Sequence, residues 1–277
     1  MIEDVNLLVS ASGSVLRSSV SGKIAMKCEL SGMPECKFSL NDKLVLQKET
    51  RRGGSGVGSG GSDGSASGGG SGVGSGGSGG GPRGGIDIDD ATFHRCVQLG
   101  KYDQDRAITF VPPDGDFQLM SYRVGENIKL PFRVLAIVDQ LSPQRVVFNI
   151  KVIANIPEQA YANNANFYIP CPPNTARATV AVPSGRGFYD ATKRRIVWQV
   201  YRFAGASEMT LQADLTLIKQ TKKKAWVRPP IKAEFQVPMF AASGLKVTHL
   251  NVYERSGYKA VKWVRYVTRA GSYEIRF

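Results

Sequence analysis

The chain is short of the residues on which most enzymes depend. It holds two histidines, His94 and His249, in 277 residues, and its four cysteines, Cys28, Cys36, Cys96 and Cys171, form no C-x-x-C pair. Such spacing matches no zinc framework, so the expectation is reduced thiols in a core, with no metal and no cofactor. No G-x-S-x-G, H-E-x-x-H or Walker pattern occurs. The hydrolase and nucleotide-enzyme signatures are therefore missing, and no enzymatic activity is expected. There is no run of 18 apolar residues, and the start, MIEDVNLLVS, lacks a basic stretch followed by an apolar block. That combination predicts an intracellular protein with neither a signal peptide nor a membrane-spanning helix.

Acidic residues are also scarce. Lysine and arginine outnumber aspartate and glutamate 36 to 23, a net charge of +13. An excess of this size points to an acidic partner: nucleic acid, an anionic membrane or an acidic protein. The charge is clustered at Lys193, Arg194 and Arg195 and again at Lys222, Lys223 and Lys224. Nucleic-acid platforms interleave aromatic rings with cations, and these triplets are too compact for that. An anionic bilayer needs only dense charge, at about 1 kcal/mol per basic residue near its surface.

Residues 53–85 are almost wholly glycine and serine. Such a run has too few apolar side chains to offset its ordering entropy, so a flexible coil is expected. Its two GVGSGG copies match a dinucleotide fingerprint only formally, because no strand precedes them and no helix follows. The 50 residues before it carry strand-like runs (VNLLVS, KIAMKCEL, KLVLQKE) but too little material for a core of their own. The coil therefore reads as a long loop inside one domain. Beyond it, RAITFV, FQLMSYRV, VVFNIKVIA, ANFYIP, RRIVWQVY, MTLQADLTLI and AEFQVPMF alternate β-branched or aromatic residues with polar ones, punctuated by Pro, Gly and Asn. No stretch sustains a helical period, and an all-β sandwich architecture follows.

One short stretch near the end, KWVRYV at 262–267, sets a tryptophan beside fixed cations. As a strand it would put Trp263 and Arg265 on one face and Lys262 and Val264 on the other. A packed tryptophan with a solvated arginine is one reading, and a surface for an aromatic guest is the other.

Taken together, SGMPECKFSLNDK (31–43), ATFHRCVQLGKYD (91–103), ITFVPPDGDFQLMSYR (108–123), LPFRV (130–134), WVRPPI (226–231), SGLKV (243–247) and KWVRYVTRAGSYEIR (262–276) closely resemble the C-terminal domain of clathrin-adaptor medium (mu) subunits. NDK, LPFRV and SGYKAVKWVRYVTRAGSYEIR look most like the plasma-membrane adaptor, of the plant or algal type. The resemblance implies an elongated mu-homology domain of two β-sandwich subdomains, one inserted in the other. Residues 1–130 and 240–277 would form the signal-binding part, and 131–239 the insert.

It also implies a role: binding Tyr-x-x-apolar signals in membrane-protein tails as an added β-strand, for endocytosis from clathrin-coated pits on the cytoplasmic face of the plasma membrane. By the same resemblance, Lys27, Trp263 and Arg265 would form the tyrosine pocket, and Val247, Leu250, Val264 and the stem of Lys262 the apolar pocket. Val247 and Leu250 are three apart, so a bulge is expected between them. An anionic phosphoinositide surface would use Arg186, with Lys193, Arg194 and Arg195 standing in for family lysines replaced here by Ser184, Phe188 and Asp190. The family's aromatic wall and tyrosine-binding Asp would precede Met1, as would the domain that docks other adaptor subunits. A truncated pocket weakens the implied binding, and the alternative is a basic docking scaffold without tyrosine-signal activity. No nucleic-acid partner is expected.

Overall fold

The computed structural model describes residues 1–42, 85–98, 100, 107–219, 226–254 and 257–277. The Gly/Ser run, apart from Gly85, and the Lys222–Lys224 triplet lie outside the described residues.

The expected all-β architecture is present, and every regular element of four or more residues among the described residues is a strand. The first seven are β1 (Ile2–Val9), β2 (Val15–Cys28), β3 (Glu35–Leu40), β4 (Asp90–Phe93), β5 (Val97–Gln98), β6 (Ile108–Phe110) and β7 (Gly115–Val124). Next come β8 (Phe132–Ser142), β9 (Arg145–Ala154), β10 (Tyr161–Pro170), β11 (Thr175–Ala181), β12 (Arg186–Asp190), β13 (Arg195–Ala204), β14 (Glu208–Leu217) and β15 (Ile231–Pro238). The chain closes with β16 (Val247–Tyr253) and β17 (Val267–Ile275). Period-two burial explains them. In β9, alternate residues from Val146 to Ala154 are buried, and in β15 Ile231, Ala233, Phe235 and Val237 point inward while Lys232, Glu234 and Gln236 face out.

A single nine-stranded sheet runs in the order β12-β13-β10-β15-β17-β1-β2-β7-β4. Two four-stranded sheets, β11-β14-β9-β8 and β16-β3-β6-β5, complete the fold. All ladders are antiparallel except β1 with β17, which are parallel, Ile2 opposite Val267. Between β15 and β17 the ladder breaks from Lys232 to Gln236, and this seam joins the two ends of the long sheet. Beneath it Phe132 packs edge-on against Phe167, Phe203 and Phe235, at 5.7, 5.1 and 5.0 Å between centroids. Tyr273 packs on Phe235 at 5.0 Å, and its hydroxyl both accepts from the Phe132 N–H at 3.3 Å and donates to the Phe132 carbonyl. An aromatic core thus ties β17 to the start of β8 where backbone pairing is interrupted.

A second buried assembly crosses three strands. Glu3, Gly22 and Tyr122 stand opposite one another on β1, β2 and β7. A Cβ on Gly22 would lie 2.0 Å from the Tyr122 ring, so only glycine lets the tyrosine cross β2. Its hydroxyl donates to Glu3 Oε1 at 2.8 Å. Burial, with the carboxylate alongside, pushes this hydroxyl far above its ordinary pKa, so it remains a donor. Glu3 also accepts from the Ser243 N–H at 3.2 Å and from the Ser243 hydroxyl. This buried carboxylate is held by hydrogen bonds from β7 and the loop after β15, with Thr268 of β17 at its edge, 3.5 Å away.

The expectation of a strand over 262–267 needs correction. Residues 261–266 belong to no ladder, and β17 begins only at Val267. Its backbone contacts are isolated ones. The Met1 amino group donates to the Arg265 carbonyl at 2.7 Å, the Met1 carbonyl accepts from the Val267 N–H at 3.0 Å, and on the other side β15 ends at Pro238, with the Met239 N–H bonded to the Tyr266 carbonyl at 2.7 Å.

Candidate functional site

A groove of about 500 Å³ opens where β2, β3, β16 and the 261–266 segment converge. All seven residues expected in the two pockets line it: Lys27, Val247, Leu250, Lys262, Trp263, Val264 and Arg265. Val247 and Leu250 reach the same groove because the β16–β3 register shifts between Val247 and His249, which inserts Thr248 as a bulge. His249, next to the bulge, is exposed.

Each wall has a distinct chemistry. Trp263 is 71% exposed, and the Arg265 guanidinium stands 6.0 Å from its ring centroid. Among the described residues no carboxylate pairs with Arg265, so its charge faces the groove uncompensated. Lys262 donates to Asn251 Oδ1 at 3.3 Å, which lays its stem along β16. Tyr266 anchors the end of the segment, its hydroxyl accepting from the Val247 N–H at 3.0 Å and its carbonyl from the Met239 N–H at 2.7 Å.

Lys27, at the rim, has a partner of its own. Its ammonium pairs with Glu29 at 2.7 Å, and the carboxylate raises the lysine pKa while its own is lowered. Both side chains are well exposed, so the pair contributes little stability but neutralises one cation at the rim.

Reading the sequence missed several lining residues. Met26, Leu30, Phe38 and Val252 supply apolar surface, and Cys28 and Cys36 lie among them. Met26 and Cys28 continue the period-two pattern begun at Ile24, a signal present in KIAMKCEL. Burial pushes the Cys36 thiol up to about 11 and Cys171, far away in the core, up to about 12. Both are protonated at neutral pH and are poor nucleophiles.

The expected anionic-lipid residues stand at the two ends of one hairpin. Arg186 pairs with Gln199 at one end of the β12–β13 hairpin, and Asp190 pairs with Arg195 at the other, about 13 Å apart for four strand residues. Arg195 turns inward, its guanidinium 4.1 Å from the Tyr168 ring centroid and its Nε buried 3.9 Å from Asp190. Lys193 and Arg194 alone project from the turn, where Arg194 adopts a left-handed conformation (φ 49°) and the Lys193 N–H is capped by Asp190 at 3.1 Å.

No group of three or more metal-ligating side chains lies together among the described residues, and none of the helices there is long and apolar enough to cross a membrane.

Comparison with known proteins gives this geometry its context. The mu subunit of the AP-2 complex from Dictyostelium discoideum is 45% identical over 279 residues, a match covering all of this chain and 59% of that protein. The chain therefore spans a little over half the length of this relative. The yeast delta-COP-I mu-homology domain, solved with a Dsl1 WxWxV peptide, shares the fold at a TM-score of 0.63 and 10% identity, covering 99% of this chain and 96% of that one. The Danio rerio Fcho1 mu-homology domain, solved with an Eps15 peptide, does so at 0.60 and 11%, covering 99% and 94%. The model of the adaptor complexes medium subunit family matches residues 1–277, and the chain belongs to that family.

Proposed function

We propose that this chain is the cargo-reading module of a clathrin adaptor at the plasma membrane. It binds extended Tyr-x-x-apolar peptides in the cytosolic tails of membrane proteins, for uptake through coated pits. The observation that carries the reading is a coincidence in one groove. An exposed Trp263, an uncompensated Arg265 and the apolar walls Val247, Leu250 and Val264 all border a segment that belongs to no ladder. By strand alternation, the backbone groups of Lys262 and Val264 point away from β1, because Arg265 bonds toward it. A peptide strand can add there, its phenol ring stacking on Arg265 and its apolar side chain entering beside Leu250. The solved delta-COP-I and Fcho1 domains each hold a peptide, which supports peptide binding as a use of the fold.

The test is calorimetric titration of a Tyr-x-x-Leu peptide and its Tyr→Ala control into this chain and into a version extended upstream of Met1. Arg265→Ala is expected to weaken the tyrosine peptide by about tenfold or more, from the loss of a desolvated cation–π contact. Equal affinity for the two peptides in both proteins overturns the reading.

The division into 1–130 with 240–277 and an inserted 131–239 belongs to the same proposal, as does assembly with other adaptor subunits through parts of the whole protein outside this chain. So does a peripheral, anionic-membrane-facing role for the β12–β13 turn. There, the Lys193→Ala, Arg194→Ala double variant should reduce partition onto phosphoinositide vesicles, at about 1 kcal/mol per cation. Arg195→Ala should reduce it less, since that side chain is committed to Tyr168. Equal vesicle binding by the double variant and the parent protein would remove the turn from the membrane surface.

A further inference from the structure

The inserted sandwich ends in an edge strand that, among the described residues, has no strand paired to its outer side. Among the described residues β8 is the last strand of its sheet and pairs with β9 alone. The direction of its free hydrogen-bonding groups follows from two contacts. The Pro131 carbonyl accepts from the Asn155 N–H on the β9 side, while both backbone groups of Phe132 turn the other way to Tyr273. Alternation then aims the N–H and C=O of Val134, Ala136 and Val138 at the open edge. Edge strands are ordinarily guarded by proline, lysine or a mid-strand bulge. Phe132–Ser142 contains neither residue, and its one register shift is at the far end, between Gln140 and Ser142.

The outward face of this edge is complementary to itself. Arg133, Leu135, Ile137 and Asp139 share that face, opposite inward Val134 and Val138. Ile137 is 60% exposed, and Arg133 and Asp139 are exposed with no ion-pair partner among the described residues. A two-fold axis through Ala136 sets Val134 against Val138 of a second strand and Ala136 against Ala136, the residues whose backbone groups are free. The same operation places Arg133 against Asp139 and Leu135 against Ile137. Each charge then meets its opposite and each apolar side chain meets another, at the closely spaced non-hydrogen-bonded positions of the ladder.

We propose that β8 is a homotypic docking edge, at which two copies of this chain join antiparallel to make a continuous eight-stranded sheet. The interface is isologous and therefore closes as a dimer, without growing into a filament. The net charge of +13 opposes association, but at physiological salt that repulsion is screened beyond about 8 Å, whereas the Arg133–Asp139 contacts are short.

Sedimentation equilibrium of the whole chain, from micromolar to submillimolar concentration, tests this. A reversible monomer–dimer equilibrium is expected. Asp139→Arg, which faces arginine with arginine, should weaken it by about tenfold or more. The double exchange Arg133→Asp with Asp139→Arg should restore the parent affinity. Ala136→Pro should abolish the dimer while leaving the β9 ladder and the circular dichroism spectrum intact, because the lost N–H points to the free edge. A chain that stays monomeric throughout, leaving the edge open to a foreign strand, overturns the proposal. A dimer indifferent to Ala136→Pro, or one that the charge exchange fails to restore, overturns it equally.

Discussion

Replacing Glu3 with alanine is expected to lower the unfolding free energy by about 3–5 kcal/mol, read as a shift in the urea midpoint. The carboxylate is 1% exposed and is the acceptor on which the Tyr122 hydroxyl and both donors of Ser243 converge. Thr268 contributes less, because its proton goes to the Phe240 carbonyl at 2.7 Å and it stands 3.5 Å from Glu3. Three buried donors are thus orphaned at about 1–3 kcal/mol each, partly offset by no longer burying a charge. Glu3→Gln should cost less, since its amide oxygen can still serve the two hydroxyls while its NH₂ is left facing the Ser243 N–H. Should Glu3→Ala unfold within 1 kcal/mol of the parent protein, the carboxylate is not what joins β1 to β7 and the 243 loop.

Tyr273→Ala is expected to cost a further class of contact, about 3–5 kcal/mol for emptying the site of a fully buried ring. Its ring packs edge-on against Phe235, and its hydroxyl satisfies both backbone groups of Phe132. Tyr273→Phe isolates the second part. It keeps the ring, leaves the Phe132 N–H and C=O unpaired, and should cost about 1–3 kcal/mol. If the phenylalanine variant is neutral, Phe132 is satisfied by something other than this hydroxyl. The aromatic packing would then carry the seam alone.

Much of this was legible in the residues. Alternation located the strands because one face of each ladder is buried, as in β9 and β15. It also foretold the bulge that brings Val247 and Leu250 together, since no regular strand turns residues three apart to one side. What sequence could not supply was the partner of each strand. KWVRYV has the composition of a strand, yet its residues enter a ladder only from Val267 on, where β1 and β15 flank it. Arg195 reads as one of three equivalent cations until Tyr168 and Asp190 are placed beside it by β10 and β12. Glu3 offered a clue, since it shares a face with Val5 and Leu7, but the donors that make its burial tolerable lie more than a hundred residues away.

The parallel pairing of Ile2–Val9 with Val267–Ile275 also bears on how the protein is made. At a synthesis rate of about 5–20 residues per second, β1 can pair with β2 almost at once but leaves the ribosome on the order of 10–50 seconds before its parallel neighbour β17 exists. The β8–β9 and β9–β14 ladders, by contrast, can close as soon as Leu217 emerges. A nascent chain would therefore carry a formed insert beside a β1 paired on the β2 side alone, its other edge open until the last strand arrives. During that interval the β17-facing edge of β1 is a row of unpaired backbone groups, the kind of edge a chaperone shields.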